Sequence, residues 1–268
     1  MSLFRRYFEE KDGNQYRGVK VNKTKIEWCD YTWSPITGCT RGCDYCYARK
    51  MAQRLKGRAG YPEDDPFQIL LHCNRLDEPK RIKTGKRIFT VSMGDMFDPN
   101  VKPEWIRKVY DIMVETPQHR YMILTKAPYN IPRTIPVPDN CWIGVSVTRG
   151  YDYNRLRTLS QISSEMGFRK RTFTSIEPLH GSIEEYPDTI SNWVPPLVII
   201  GAETGNRWDK IKATRENLVD WVYWAVKRGC VNIFYKDSLI TVLEEIGEMD
   251  NQKSSFRMRR DIPKELIP

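Results

Sequence analysis

Short runs of apolar and β-branched residues alternate along the chain with longer amphipathic stretches. This alternation is typical of βα units, in which helices cover a parallel sheet whose strands are buried on both faces. The runs that predict strands are residues 31–36, 87–92, 121–125, 142–147, 171–176, 197–201 and 231–235. The stretches that predict helices are residues 45–55, 103–115, 153–166 and 214–228. The sequence therefore predicts an α/β protein, a partial (β/α)6-7 barrel with parallel strands.

Helix-end signals support these boundaries. Pro103 followed by Glu104 is typical of a first turn, and Gly229 follows the last predicted turn of the helix that begins at Thr214. We interpret residues 1–25 as a polar N-terminal arm, 26–240 as the barrel and 241–268 as a basic C-terminal extension.

Composition narrows the class of protein. The chain has 268 residues, of which 40% are hydrophobic, which suits one large domain. It contains no apolar run long enough to cross a membrane, and its polar N-terminus lacks the apolar core of a secretion signal. These features predict a soluble cytoplasmic protein.

The charge balance is basic. The chain has 43 Lys and Arg residues against 34 Asp and Glu, a net charge of +9, and 12% of its residues are aromatic. Such an excess favours a polyanionic partner, because Lys and Arg displace the counterions of phosphates. The excess is concentrated in residues 80–87, 169–171 and 253–260. Runs of this kind are also found on ordinary solvated faces, so the charge indicates nucleic acid without locating a site.

Residues suited to polar contacts, through a side chain or, at a glycine, through the backbone, follow the predicted strands where each strand ends. They are Ser92, Gly94 and Asp95 after the second strand, Lys126 after the third, Ser146 in the fourth, Glu177 after the fifth, Glu203 after the sixth and Lys236 after the last. The carboxyl ends of parallel strands meet at one rim, so these groups are expected to form one site. Rim positions are solvated and often polar in any barrel, which is the alternative interpretation.

Three cysteines, Cys39, Cys43 and Cys46, are separated by three and then two residues. This spacing suits an iron–sulfur cluster held by three thiolates, with one iron left open to bind S-adenosylmethionine and pass it an electron. A zinc site is the alternative, with Cys29, Cys73 or His72 as the fourth ligand. Zinc sites usually contain paired two-cysteine motifs, and the absence of a second close pair favours the cluster.

The motif resembles a known superfamily. Cys39-x3-Cys43-Asp44-Tyr45-Cys46 is similar to the radical S-adenosylmethionine signature. The chain resembles, more closely, a phage and prokaryotic family of three-cysteine-motif proteins that is distantly similar to spore photoproduct lyase. The segments that carry the resemblance are residues 26–39, 92–97, 124–126, 142–147, 176–179 and 200–205.

The resemblance implies a function and its cofactors. Cys39, Cys43 and Cys46 would be the catalytic ligands of a [4Fe–4S] cluster, and reduced S-adenosylmethionine would give a 5′-deoxyadenosyl radical that abstracts hydrogen from the substrate. An electron donor such as flavodoxin or ferredoxin is implied as a partner, and a bacterial, archaeal or phage-infected cell as the setting.

The resemblance also implies roles for the remaining site residues. Tyr45 would lie against the adenine, the loop with Ser92, Gly94 and Asp95 would hold the methionine amino group, and Lys126 would pair with the methionine carboxylate. Ser146 would reach the ribose or that carboxylate, and Glu177 and Glu203 would contact ribose or substrate. The loop reads Ser92-Met-Gly94-Asp95 where the superfamily often has Gly-Gly-Glu.

For the substrate, the charge, the aromatic content and the resemblance favour a nucleic-acid base or modified nucleotide, DNA more than RNA. One specific version is an isomerisation, the rearrangement of a side chain attached to a thymine in phage DNA. Residues 80–87 and Arg149, Tyr151 and Tyr153 are candidates for the nucleic-acid surface. Two alternatives stay open: a zinc- or cluster-bearing nucleic-acid-binding module without catalysis, and a radical enzyme acting on a small metabolite or peptide.

Overall fold

The computed structural model describes residues 22–183, 193–230, 232–249 and 261–268. Strands in this part of the chain are β1 (Asn22–Lys23), β2 (Tyr31–Trp33), β3 (Ile36–Thr37), β4 (Leu70–Leu71), β5 (Arg87–Thr90), β6 (Arg120–Thr125), β7 (Cys141–Val147), β8 (Thr172–Ile176), β9 (Leu197–Ile200) and β10 (Asn232–Tyr235). Helices are α1 (Tyr47–Arg54), α2 (Pro103–Glu115), α3 (Tyr153–Glu165), α4 (Arg215–Lys227) and α5 (Ile240–Met249).

Eight of these strands form one sheet in the order β1-β2-β5-β6-β7-β8-β9-β10. All neighbours pair in parallel except β1, which is antiparallel to β2. Within the described residues no pairing joins β10 back to β1 or β2, so the barrel is open. The predicted α/β fold with parallel strands is confirmed.

The sheet separates two apolar cores, and alternate residues of each strand contribute to one core or the other. Side chains on one face of the sheet pack against the helices. Ile123 of β6, for example, belongs to the same apolar cluster as Val109 of α2 and Leu159 of α3. The other face carries a second cluster, formed by Trp28, Phe89, Met122, Trp142, Phe173, Leu197, Ile199, Phe234 and Leu266 with Cys29. Because side chains of a strand alternate between faces, this second cluster fills the interior of the open barrel.

The C-terminal residues 261–268 lie at the amino end of the strands. Leu266 is buried in the interior cluster, and the backbone carbonyl of Glu265 accepts a hydrogen bond of 3.0 Å from Arg120, the first residue of β6. This segment therefore closes the base of the barrel and leaves the opposite end free for the site. Residues 253–260, one of the predicted basic segments, lie outside the described residues.

Two of the differences from the predicted boundaries have a local physical cause. The strand expected at 31–36 is divided into β2 and β3, because Pro35 has no N–H to continue the ladder, and β3 pairs instead with β4. The first helix begins at Tyr47 because Cys46 is its N-cap and accepts a bond from the Arg49 N–H. The other three predicted helices agree with the structure to within one residue at each end.

The structure also shows that two candidates for the nucleic-acid surface, the run at 80–87 and Tyr153, do not lie at the cavity end of the surface. The basic run at 80–87 leads into β5, so it lies at the amino end of the strands, and Lys80 is paired with Asp77 and Glu115. Tyr153 is buried in the core at the start of α3. In the described part of the chain, no helix is both long and apolar enough to span a bilayer.

Candidate active site

A cavity of about 400 Å³ opens at the carboxyl ends of the parallel strands. Its wall contains every residue that the sequence singled out for the site: Cys39, Cys43, Tyr45, Cys46, Ser92, Gly94, Asp95, Lys126, Ser146, Glu177 and Glu203. Residues from the cysteine loop and from the loops after β5, β6, β8 and β9 thus meet in one place, as expected for a parallel α/β barrel.

The alternation of the strands explains why these side chains face inward. Ser146 follows Trp142 by four positions and Ser175 follows Phe173 by two, and both aromatic rings belong to the interior cluster. Residues separated by an even number of positions lie on the same face of a strand. The interior is therefore apolar at the base and becomes polar toward the cavity.

The loop that carries the cysteines is held by side chains around it. The buried carboxylate of Asp98 accepts bonds from the Thr40 N–H at 2.8 Å and from its hydroxyl at 2.7 Å. From α1, the Arg49 guanidinium donates to the carbonyls of Cys39 at 3.3 Å and Arg41 at 2.9 Å. These bonds fix a short loop without regular structure on which all three cysteines lie.

Each cysteine sulfur accepts a hydrogen bond. The backbone N–H of Arg41 lies 3.4 Å from Cys39 Sγ, that of Arg49 lies 3.4 Å from Cys46 Sγ, and Lys126 Nζ lies 3.3 Å from Cys43 Sγ. Burial raises the pKa of Cys39 to about 12. The free thiol therefore keeps its proton at neutral pH, whereas a metal would bind it in the deprotonated, thiolate form.

The donor set fits a cluster better than a zinc ion. Soft thiolates suit iron–sulfur clusters as well as zinc, but none of the candidates for a fourth zinc ligand belongs to the cavity wall. Cys29 is buried in the interior cluster, His72 shares a 2.8 Å hydrogen bond with Thr37, and Cys73 is exposed. Among the described residues, no three His, Cys, Asp or Glu side chains surround a point where a single ion could bind. In a cluster each thiolate binds a different iron, so three separated sulfurs on one loop are compatible with it.

Lys126 connects the cysteine loop with Tyr45. Its Nζ lies 2.5 Å from the Tyr45 hydroxyl and 4.3 Å from the centre of the same ring. Burial lowers the pKa of Lys126, but Tyr45 and Cys43 raise it by more, so the net pKa lies above the ordinary value for lysine. The ammonium is therefore charged in the cavity wall at neutral pH, which makes it a site for an anionic group.

Asp95 organises the wall on the same side. One of its oxygens accepts from the Thr125 hydroxyl at 2.6 Å and from the Phe97 N–H at 3.1 Å, and the other accepts from the Lys126 N–H at 2.9 Å. Burial raises the pKa of Asp95 even though these hydrogen bonds lower it. The carboxyl ties the loop after β5 to the end of β6 and so positions Lys126.

Gly94 permits the close approach of that loop to the cysteine loop. A Cβ at this position would lie 2.5 Å from the carbonyl oxygen and 2.9 Å from the nitrogen of Gly38, which directly precedes Cys39. The two glycines form a parallel β-bridge, in which the Asp95 N–H donates to the Gly38 carbonyl at 3.3 Å. Only glycine fits here without moving the backbone beside Cys39.

A tyrosine outside the predicted set closes the cavity between α1 and β5. The hydroxyl of Tyr47 donates to the Ser92 carbonyl at 2.5 Å, and Ser92 Oγ lies 3.2 Å from Ser34 Oγ. Burial of its hydroxyl raises the pKa of Tyr47. Its position directly after Cys46 was the only sequence signal that could have indicated it.

Glu177 and Lys236 form an ion pair across the ends of β8 and β10. Both side chains lie in the cavity wall, and Ser146 Oγ donates to the Glu177 carbonyl at 3.4 Å. A Cβ on Gly201 would lie 2.8 Å from Lys236 Cδ and 3.1 Å from Glu177 Cδ. The glycine after β9 therefore makes room for the pair.

Glu203 is held by two side-chain partners and by the backbone N–H of Ile211, which lies 3.4 Å from its carboxylate. Its carboxylate accepts from His180 Nε2 at 2.8 Å and from Arg207 at 2.8 and 3.1 Å. Burial raises the pKa of Glu203, but the bonds from Arg207 and His180 lower it by more, so the net pKa lies below its ordinary value. His180 in turn contacts the ring of Tyr45 edge to face, with 5.3 Å between the ring centres. Sequence reasoning did not indicate His180 or Arg207, because neither has a recognisable local pattern around it.

Comparison with solved structures shows the fold. The chain is similar to spore photoproduct lyase complexed with dinucleoside spore photoproduct, at a TM-score of 0.57 and 10% identity over 82% of this chain and 81% of that chain. A cysteine-to-alanine mutant of that lyase with the same dinucleoside gives a TM-score of 0.58 and 12% identity over 82% and 80%. A cysteine-to-serine mutant gives 0.55 and 13% over the same shares.

Sequence comparison identifies the family. No curated protein matches the sequence of this chain. A family described as protein of unknown function, DUF5131, matches residues 23–238, a range that holds the cysteine loop, all the parallel strands and every wall residue of the cavity. The chain is therefore a member of the DUF5131 family.

Proposed function

We propose that this protein is a radical S-adenosylmethionine enzyme that acts on a nucleic-acid base or modified nucleotide. The observation that carries the proposal is the meeting of Cys39, Cys43 and Cys46 with Lys126 in one cavity, at the carboxyl end of an open parallel barrel. A structural metal site needs ligands but no cavity and no charged lysine beside them. This combination suits a bound cofactor with an anionic group.

The residues on the cysteine side of the cavity would hold both cofactors. Cys39, Cys43 and Cys46 would bind a [4Fe–4S] cluster, which when bound supplies one electron to S-adenosylmethionine and so yields a 5′-deoxyadenosyl radical. Lys126 would hold the methionine carboxylate, since it is a charged donor next to Cys43. Asp95 would keep Lys126 in place, and the backbone around Ser92 and Gly94 would accept bonds from the methionine amino group.

The opposite side of the cavity would orient the ribose and the substrate. Ser146 and the Glu177–Lys236 pair supply hydroxyl, carboxylate and ammonium groups there. Glu203 would act as a positioning residue, because His180 and Arg207 bind its carboxylate and His180 packs against Tyr45. The apolar interior cluster below excludes water from the floor of the cavity, which protects a reactive intermediate.

The substrate class is supported by charge and by the similar structures. The net charge of +9 favours a polyanion, and two of the solved structures with this fold contain a dinucleoside. Isomerisation of a side chain on a thymine in phage DNA is the specific reaction we favour. It predicts a product of unchanged mass and altered chromatographic retention in nucleoside digests.

The test is anaerobic reconstitution with iron and sulfide, followed by reduction in the presence of S-adenosylmethionine. Flavodoxin or ferredoxin serves as the reductant. Wild type is expected to bind four irons per chain by the cluster stoichiometry, to show the electron paramagnetic resonance signal of a reduced cluster and to release 5′-deoxyadenosine. Cys43→Ala is expected to lose all three properties.

Cys73→Ala is the matched control, because Cys73 is an exposed cysteine outside the cavity. It should behave as wild type. A protein that binds one zinc tightly and releases no 5′-deoxyadenosine would overturn the proposal in favour of a structural metal site.

A further inference from the structure

Three exposed aromatic side chains lie on loops that follow strands at the cavity end of the barrel. Tyr129 follows β6 and is 57% exposed, Tyr151 follows β7 and is 58% exposed, and Trp208 follows β9 and is 95% exposed. We call them the rim aromatics. A single exposed ring is ordinary, whereas several exposed rings gathered at the end of a fold that holds a cavity favour a binding surface.

Two of the rim aromatics contact an arginine, and the third lies in a loop rich in basic residues. Arg41 donates to the Tyr129 hydroxyl at 3.0 Å, and the Arg149 guanidinium lies 5.0 Å from the centre of the Tyr151 ring. Trp208 follows Arg207 directly and is followed by Lys210 and Lys212 in the same loop. An exposed ring is thus in contact with an arginine at two positions and is accompanied by basic residues of the same loop at the third.

These loops surround the mouth of the cavity. Arg41 itself belongs to the cavity wall, and Arg207 binds Glu203, another wall residue. The Tyr151 loop is joined to the loop after β8 by a 2.9 Å bond from the Gly150 N–H to the Ser182 carbonyl. That second loop carries His180, which packs against Tyr45. A strand lying on the rim aromatics would therefore pass over the opening.

At the other end of the barrel the Arg169 guanidinium lies 5.6 Å from the centre of the Trp193 ring, but that ring is partly buried against the core. The basic run before β5 lies at the base, where Lys80 is neutralised by Asp77 and Glu115. The run at 169–171 precedes β8 and is also basal, and Arg171 donates to the Pro138 carbonyl at 2.7 Å.

We propose that the rim aromatics and their cations bind a single-stranded segment of nucleic acid and present one of its bases to the cavity. Bases stack on aromatic rings only when their faces are free, which is the case in an unpaired strand and not in a duplex. The arginines and lysines would meet the phosphates between stacked bases. This inference deepens the proposed function, since the strand delivers the substrate of the same cavity.

The test measures binding and needs neither cluster nor turnover. A fluorescently labelled DNA single strand of about 12 nucleotides is titrated with the full chain, and anisotropy gives the Kd. Trp208→Ala and Tyr151→Ala are each expected to weaken binding about 5-fold or more. Arg149→Gln is expected to reduce the slope of log Kd against log salt by about 0.7.

Tyr223→Ala is the matched control. Tyr223 is an exposed tyrosine of α4 with Lys227 5.6 Å from its ring centre, so it has the same chemistry on a helix that covers the sheet instead of the rim. Its Kd should equal that of wild type within about twofold. Circular dichroism of every variant checks that the fold is intact.

Three results would overturn the inference: equal Kd values for the rim and control variants, tighter binding of a duplex of the same sequence, or no binding by wild type. The proposed function fails separately. Rim-dependent binding by a protein that never releases 5′-deoxyadenosine would keep this inference and reject the enzyme, and 5′-deoxyadenosine release without rim-dependent binding would do the reverse.

Discussion

The ammonium nitrogen of Lys126 lies 3.3 Å from the sulfur of Cys43, although 83 positions separate the two residues in the chain. The contact links the end of β6 to the cysteine loop and places a positive charge at the site proposed for a metal cluster. A lysine with this neighbour suits the carboxylate of an amino-acid cofactor.

Lys126→Met is expected to weaken the binding of S-adenosylmethionine about 10-fold to 100-fold, because a charge-assisted hydrogen bond contributes about 1.5–3 kcal/mol. Isothermal titration of the reconstituted protein measures the affinity. Lys83→Met serves as the control, since Lys83 is an exposed lysine at the base of the barrel. Equal losses in the two variants, or none in either, would contradict the role given to Lys126.

Gly94→Ala is expected to reduce iron content after reconstitution and to destabilise the fold by about 1–3 kcal/mol. The added methyl would lie 2.5 Å from the Gly38 carbonyl oxygen, so the backbone beside Cys39 must move. Iron analysis and urea unfolding measure the two effects. Gly42→Ala is the matched control. It makes the same substitution within the cysteine loop itself, where a Cβ meets nothing within 4 Å. If the two variants retained the same iron, the close approach of the two loops would be irrelevant to the cluster.

The fold could be predicted because strands buried on both faces appear as apolar runs, and the long helices have clear ends. Elements of two residues such as β3 and β4 carry no periodic signal, and Pro35 divided a run that looked continuous. The short strand β1 and helix α5 were missed, the first because it consists of two polar residues, Asn22 and Lys23.

The members of the candidate site could be predicted because residues that follow parallel strands share one rim. Their hydrogen-bond partners could not, since a partner such as His180 is 23 positions from Glu203 and isolated in sequence. The sequence suggested direct cofactor contacts for Asp95 and Glu203. The structure shows instead that protein donors already bind both carboxylates, and direct contact of either with the cofactor stays a prediction.

Glu203→Gln is expected to destabilise the protein by about 1–2 kcal/mol, because the amide loses the charge-assisted bonds from His180 and Arg207 and leaves Arg207 paired only with the more exposed Asp209. The side chain of Glu203 is 4% exposed. Glu165 makes the matched surface pair with Arg133 at 3.0 Å and is 43% exposed, so Glu165→Gln should leave stability almost unchanged. Urea unfolding at neutral pH compares the two. Similar losses would show that the Glu203–Arg207 pair contributes no more than a surface contact.

Glu78 makes the stability of the folded protein depend on pH. Its side chain is buried, its Oε1 has no hydrogen-bond partner, and burial raises its pKa to about 7 although Arg75 and Arg81 lower it. The folded protein thus holds a proton that the unfolded chain releases near its ordinary pKa. The favourable contribution is fully present below about pH 4.5 and is lost as the pH rises through about 7.

Glu78→Gln removes this titration and should be more stable than wild type at about pH 8, by about 1–2 kcal/mol after allowance for solvent screening of the carboxylate, and nearly equal to it at about pH 5. Urea unfolding at both pH values measures the difference. Glu244→Gln, on the exposed face of α5, should leave stability unchanged at both. If Glu78→Gln were instead less stable at the higher pH, its carboxylate would be making a favourable ionic contact with Arg75 or Arg81 that outweighs the cost of its burial.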